Sequence, residues 1–217
     1  PVSEFVYSDT SICATCQMVY HFIDMLGDLN SIDAAIASCL YTGIMTDTGS
    51  FRFSSTTALT HEVVADLIAK GADNAMIHDR VFNTNSSSRL ELMGLALTNM
   101  VVLQESHTAY MTLSVTELES CNYQKGDTEG LVNYGLSLKG IYMSAIFIED
   151  SDQNIVKISF RSKGRFSVNQ FSRNHFQGGG HDNAAGGRST SSMEVTVERF
   201  VSLLPTYKEA LAESYES

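Results

Sequence analysis

Apolar residues recur at three- and four-residue steps through the first part of the chain, the spacing of amphipathic helices. Ile12, Cys16, Val19, Tyr20, Ile23 and Leu26 set a helix near 10–26. A second runs from Ser31, a residue suited to an N-cap, to Met45. A third spans Ala58 to Lys70 and stops at Gly71, which can take the left-handed position after a helix. A shorter fourth covers Asn74 to Phe82. The small polar run Asn83 to Ser88 then breaks the period and marks a linker, with a helix near 88–98 leading out of it. Beyond it the pattern changes. Met100–Leu103 and Tyr110–Val115 flank the polar tip Ser106-His107-Thr108 and predict a hairpin. Ile141–Ile148 and Ile155–Phe160 predict two more strands around the turn residues Asp150–Asn154. A helix near 167–174, a glycine-rich segment and a helical tail from about Glu194 complete the chain. The pattern predicts an α-rich part, 1–98, joined to an α+β part, 99–217, with an antiparallel or mixed sheet.

The 217 residues are 43% apolar and 18% charged, enough to bury a real core. No apolar run approaches the ~20 residues of a membrane helix, and the start carries no signal-peptide pattern. A formal charge of −11 argues against long duplex nucleic acid as a partner. Cys13, Cys16, Cys39 and Cys121 do not make a disulfide framework in a chain this long and read as reduced thiols, pointing to the cytoplasm. Cys13 and Cys16 have C-x-x-C spacing, but they lie in the first helical pattern with no second ligand pair. A buried helix face is the better reading than a redox or zinc site. The chain starts at Pro1, which fits either removal of Met or a fragment.

Charge is uneven along the chain. Between 157 and 188 stand Lys157, Arg161, Lys163, Arg165, Arg173 and Arg188 against Asp182 alone, which by itself reads as a solvated strand-and-helix face or as a local anion site. Next to it, Gly178-Gly-Gly180-His181-Asp-Asn-Ala-Ala-Gly186-Gly187 offers glycines that let backbone N–H groups approach a phosphate. If His181 opens a helix, the helix N-terminus adds its dipole to the same place. The competing reading is a tight strand–helix connection. A second motif, Thr46-Asp47-Thr-Gly49-Ser-Phe51, follows an apolar segment. Asp47 there is a metal ligand or general base, or else the cap of the next turn. His21, His61 and His78 sit singly on helical patterns and read as ordinary helix residues.

Three motifs together carry a resemblance: Thr42-Gly-Ile-Met-Thr-Asp47-Thr-Gly-Ser-Phe51, Ile158-Ser-Phe-Arg161-Ser162-Lys163-Gly164 and Gly178-Gly-Gly-His181-Asp-Asn-Ala-Ala-Gly-Gly187. In this order and spacing the chain resembles the DHH-family phosphoesterases with a DHH-associated C-terminal domain, the branch of the bacterial nano-RNases and 3′-phosphoadenosine 5′-phosphate phosphatases. The Asp-His-His triplet and the His/Asp strand motif that the family carries upstream do not occur in this sequence. The expectation is a chain lacking roughly the first third of its parent.

The resemblance implies an α/β protein, here a helix-rich remnant of the DHH catalytic domain joined by a linker to a smaller α+β domain with a mixed sheet. It implies two Mn²⁺ ions in the complete enzyme, with Asp47 as a metal ligand and catalytic residue. Arg161, Ser162, Lys163, Gly178, Gly179, Gly180 and His181 are the implied substrate-binding residues. The implied activity is hydrolysis of short oligoribonucleotides, dinucleotides or 3′-phosphoadenosine 5′-phosphate. Cyclic-dinucleotide phosphodiesterase and exopolyphosphatase activities stand as alternatives within the class, and a homodimer is one assembly it allows. The rival from another class is a nucleotide- or RNA-binding module without catalysis.

Overall fold

The computed structural model describes residues 6–53 and 55–214. They divide into two compact units between Thr84 and Asn85. The first is helical: α1 (Thr15–Met25), α2 (Ala34–Asp47), α3 (Ala58–Ala69) and α4 (Asn74–Phe82). Leu40, Tyr41, Ile44 and Met45 of α2 pack with Val63, Val64 and Leu67 of α3, and Tyr20 and Ile77 close the cluster. Short polar side chains start these helices by accepting from orphan N–H groups. Asp33 accepts from the Ile36 N–H at 2.9 Å, and Thr57 and Thr60 form a reciprocal capping box. The expected cap at Ser31 is therefore displaced by two residues, because Leu29–Ser31 forms a 3₁₀ turn before Asp33. Gly71 follows α3 with φ of 105°, the left-handed conformation foreseen for it. Cys13 and Cys16 are free thiols, and the Cys13 thiol donates to Gln17 at 3.0 Å.

The second unit begins with α5 (Ser87–Thr98), capped by Ser86. Leu92 and Ala96 of this helix are buried with Met111, Leu113 and Ile146, so the helix grouped with residues 1–98 by its sequence packs inside the second unit. The hairpin β1 (Val101–Leu103) and β2 (Thr108–Leu113) follows, then α6 (Val115–Ser120) and α7 (Asn133–Leu136). A second hairpin, β3 (Met143–Asp150) and β4 (Ile155–Ser162), leads to α8 (Val168–His175). The glycine-rich segment is β5 (Gly179–His181) and β6 (Ala184–Ser189), and α9 (Met193–Glu213) ends the unit. The six strands form one sheet in the order β1-β2-β3-β4-β6-β5. The β2–β3 pair is parallel and the others antiparallel, so the sheet is mixed.

Alternation along β3 and β4 assigns the two faces. Met143, Ala145, Phe147, Val156, Ile158 and Phe160 are buried against Phe171 and Phe176, at α8 and its C-cap, and Phe200 and Leu204 of α9. The Phe147 and Phe200 rings meet edge-on at 5.2 Å, and Phe160 and Phe171 at 5.5 Å. Each buried ring contributes ~1.5–3 kcal/mol through area removed from water, which holds the strands bearing the motifs on a rigid floor. On the opposite face, Met111, Leu113 and Ile146 pack beneath residues of α5 and α6.

Candidate phosphate-binding site

Strand register builds the site. Arg161 of β4 pairs with Ala184 of β6, and Ala184 pairs with His181 of β5, so the three residues form one row across the sheet. The next row is Ser159, Gly186 and Gly179, and the one after it Lys157 and Arg188. Paired residues of β4 and β6 share a face. Arg161, Ser159 and Lys157 therefore turn away from α8 and α9, together with Ala184, Gly186 and Arg188. Lys157, His181, Gly186 and Arg188 are exposed, and Arg161 is partly buried. The result is a basic, small-residue floor.

Arg161 is the electrostatic centre of this floor. Its Nη1 donates to the Phe160 carbonyl at 2.9 Å. Burial draws the guanidinium pKa below its ordinary value, and the charge of the Glu129 carboxylate opposes this. Among the described residues the ion pairs are Lys70–Asp66 and Lys157–Asp150, so no carboxylate is paired with Arg161. A partly desolvated cation without an ion-pair partner is costly in isolation and is matched by an incoming anion.

The sequence leaves open whether His181 opens a helix, and the structure shows that it does not. His181 ends a strand, with a two-residue turn, Asp182-Asn183, before β6. The reason is close packing with a two-residue period. Ala185 is buried in the core, and a methyl on Gly187 would lie 2.9 Å from Phe176 Cβ. A Cβ on Gly178 would collide with the Gly186 carbonyl. The dipole of a helix at His181 is thus absent from the site, and the backbone there is an exposed hairpin.

Ser162 faces the other way from Arg161. It is buried, donates to the Phe166 carbonyl at 2.7 Å and accepts from Asn183 Nδ2 at 2.9 Å. Asn183 also donates to the Gly164 carbonyl at 3.0 Å, and Ser167 donates to Asp182 at 2.9 Å. These bonds fix the hairpin turn to the loop after β4. Asn183 and Asp182 are positioning residues that charge and glycine content did not reveal, although Asp-Asn between two glycine-rich runs is turn chemistry. Lys163 lies just past β4, its N–H donating to the Tyr142 carbonyl at 2.9 Å.

In the first unit, Asp47 is the exposed last residue of α2. Gly49, Ser50 and Phe51 that follow have φ of 56°, 60° and 64°, three successive left-handed residues. For Phe that conformation is rare and persists only when its surroundings determine it. They do. The buried Thr48 hydroxyl donates to Ile44 O at 2.7 Å and accepts from the Phe51 N–H at 3.1 Å. The Phe51 ring lies 5.9 Å from Tyr41 and 5.7 Å from His61. His78 Nδ1 donates to the Asn74 carbonyl at 2.8 Å, which leaves its Nε2, 3.0 Å from Ser50 Oγ, to accept the hydroxyl proton when the ring is neutral. The turn is capped by Thr48, which leaves the Asp47 carboxylate outside this hydrogen-bond set. Burial, with the Asp47 charge adding to it, raises the Cys16 thiol pKa.

Comparison with known proteins gives this geometry a lineage. Residues 108–213 match the DHHA1 domain. The chain is 34% identical over 178 residues, 82% of its length, to the bifunctional oligoribonuclease and PAP phosphatase NrnA of Thermus thermophilus. It is 27% identical over 187 residues, 86% of its length, to the protein of that name from Bacillus subtilis. The chain belongs to the DHH phosphoesterase family. It spans 52% of the Thermus and 58% of the Bacillus protein, about half the length of these relatives of the DHH chain. A crystal structure of an exopolyphosphatase-related protein from Bacteroides fragilis superposes with a TM-score of 0.92 at 38% identity, over 96% of this chain and 61% of that one.

The metal implied by the DHH resemblance can be tested against the residues present. Among the described residues no group of three or more His, Cys, Asp or Glu is placed to hold a metal ion. A divalent cation such as Mn²⁺ requires several oxygen or imidazole ligands. Asp47 can supply one carboxylate, and the described residues do not complete a set around it.

Proposed function

We propose that this DHH chain is the part of a phosphoesterase that binds short oligoribonucleotides, dinucleotides or 3′-phosphoadenosine 5′-phosphate by a phosphate group. Arg161 and His181 grip that phosphate, Lys163 adds charge at the strand end, and the Gly178–Gly180 backbone lies against the ligand. Ser162 acts indirectly by holding the hairpin turn. Asp47 contributes one ligand to a Mn²⁺ centre of the complete enzyme, and hydrolysis by that enzyme is part of the same proposal. The observation that carries the reading is Arg161, a partly buried cation with no ion pair among the described residues, in one row with His181. The 217-residue chain alone acts as a nucleotide-binding module, a reading favoured by the lack of a three-ligand group among its described residues.

Titration of adenosine monophosphate into the chain and its Arg161→Ala, His181→Ala and doubly substituted forms tests this. Arg161→Ala weakens binding by ~1.5–3 kcal/mol, the range of a charge-assisted hydrogen bond. Arg161→Lys recovers only part, because the planar fork is lost. The double substitution is non-additive, since both contacts serve one phosphate. Unaltered affinity in both single variants overturns the reading.

A further inference from the structure

We propose that the exposed face of β4 and β6 carries a second anion subsite, centred on Arg188 with Lys157 beside it, for another backbone phosphate of a short single-stranded oligonucleotide. The proposal rests on the phosphate role of Arg161 and extends the same floor. Lys157 and Arg188 are direct cross-strand partners. Like charges in that position destabilise a sheet unless an anion compensates them. Lys157 forms an ion pair with Asp150, whereas Arg188 has no ion pair among the described residues. One positive charge of the pair is therefore left for a ligand.

The ground between the two subsites is open. The middle row is Ser159 and Gly186, and a methyl added to Gly186 would meet only the Ile158 carbonyl, at 3.8 Å. Arg161 and Lys157 are four strand steps apart, about 13 Å at the usual strand rise. That interval corresponds to two phosphate steps of an extended strand and exceeds what a single phosphate can bridge. Beyond Lys157 the surface changes sign, because the adjoining cavity is lined by Glu119, Glu149, Asp150 and Asp152 with Lys125. An acidic rim repels further phosphates. A ligand that engages both subsites is thus about three nucleotides long, whereas a mononucleotide occupies the Arg161 site alone.

The test compares adenosine monophosphate with 5′-phosphorylated triadenylate on the 217-residue chain and its Arg188→Glu and Arg161→Ala forms. The unaltered chain binds the trimer more tightly. Arg188→Glu, an exposed substitution, weakens the trimer about tenfold, equivalent to about 1.4 kcal/mol, and leaves the monophosphate within about twofold. The salt dependence of trimer binding also becomes shallower, as one fewer phosphate is neutralised. Equal losses for both ligands, or no loss for the trimer, overturn the second subsite. Arg161→Ala weakens both ligands; if it changes neither, the first phosphate site fails, while the length-dependent effect of Arg188→Glu still decides the second.

Discussion

Arg161 and Ser162 are neighbours in one motif and have opposite roles. A strand sends successive side chains to opposite faces, so Arg161 reaches the open floor and Ser162 the interior. The sequence presents Arg-Ser-Lys as one polar cluster, and only the pairing of β4 with β3 and β6 shows which face is covered. The two residues therefore respond differently to truncation. Ser162→Ala removes the hydroxyl that donates to the Phe166 carbonyl and accepts from Asn183, while Asn183 keeps its bond to the Gly164 carbonyl, so the cost is ~0.5–1.5 kcal/mol, that of an intramolecular hydrogen bond. Arg161→Ala removes a poorly solvated cation and costs little stability. Thermal unfolding with and without adenosine monophosphate separates them: a lower apo midpoint belongs to Ser162→Ala, and a lost ligand-induced shift to Arg161→Ala. The reverse pattern refutes the assignment.

At the scale of elements, the helices of the first unit were legible because period and caps agree, as at Thr57 and Gly71. The start of α6 was also written in the sequence, as Ser114 with Glu117 three residues on, a capping box that periodicity passes over in so short a helix. The glycine segment was not legible, because glycine and alanine carry almost no pattern of their own. What makes it a hairpin is the approach of Phe176, Ser172 and Phe160, all remote from it in the chain or on another element. Adjacent glycines there differ in consequence. Gly187→Ala forces a methyl to 2.9 Å from Phe176 Cβ and 3.0 Å from Ser172 Oγ, and overpacking of this kind costs ~1–3 kcal/mol. Gly186→Ala has open space and leaves stability unchanged or higher, by up to ~1 kcal/mol. Its methyl stands on the ligand face, however, and adenosine monophosphate affinity falls. Chemical denaturation and ligand titration of the two variants check this, and equal destabilisation by both contradicts the assigned faces.

At the scale of the whole molecule, two units with separate cores explain why charge could be read so locally. Residues 1–95 hold four basic and eleven acidic side chains, whereas 157–188 hold six basic and one acidic. A net charge of −11 conceals a cationic floor on β4 and β6. The polar run Asn83–Ser88 marked the linker, and the units divide within it, between Thr84 and Asn85; the helix after it was grouped with the first part, but burial of Leu92 and Ala96 beside β2 residues places it in the second unit. Binding and turnover then separate cleanly. Asp47 stands on a turn locked by Thr48, Ser50 and Phe51, yet no group of three ligating side chains gathers among the described residues. A metal-generated hydroxide needs such a set, since one carboxylate neither fixes coordination nor holds the ion against water. The 217-residue chain with Mn²⁺ and a dinucleotide is therefore expected to bind the nucleotide without hydrolysing it. Chromatographic product analysis gives the answer, with an EDTA control. Turnover that copurifies with this polypeptide and disappears with EDTA would mean that its own residues complete the metal centre.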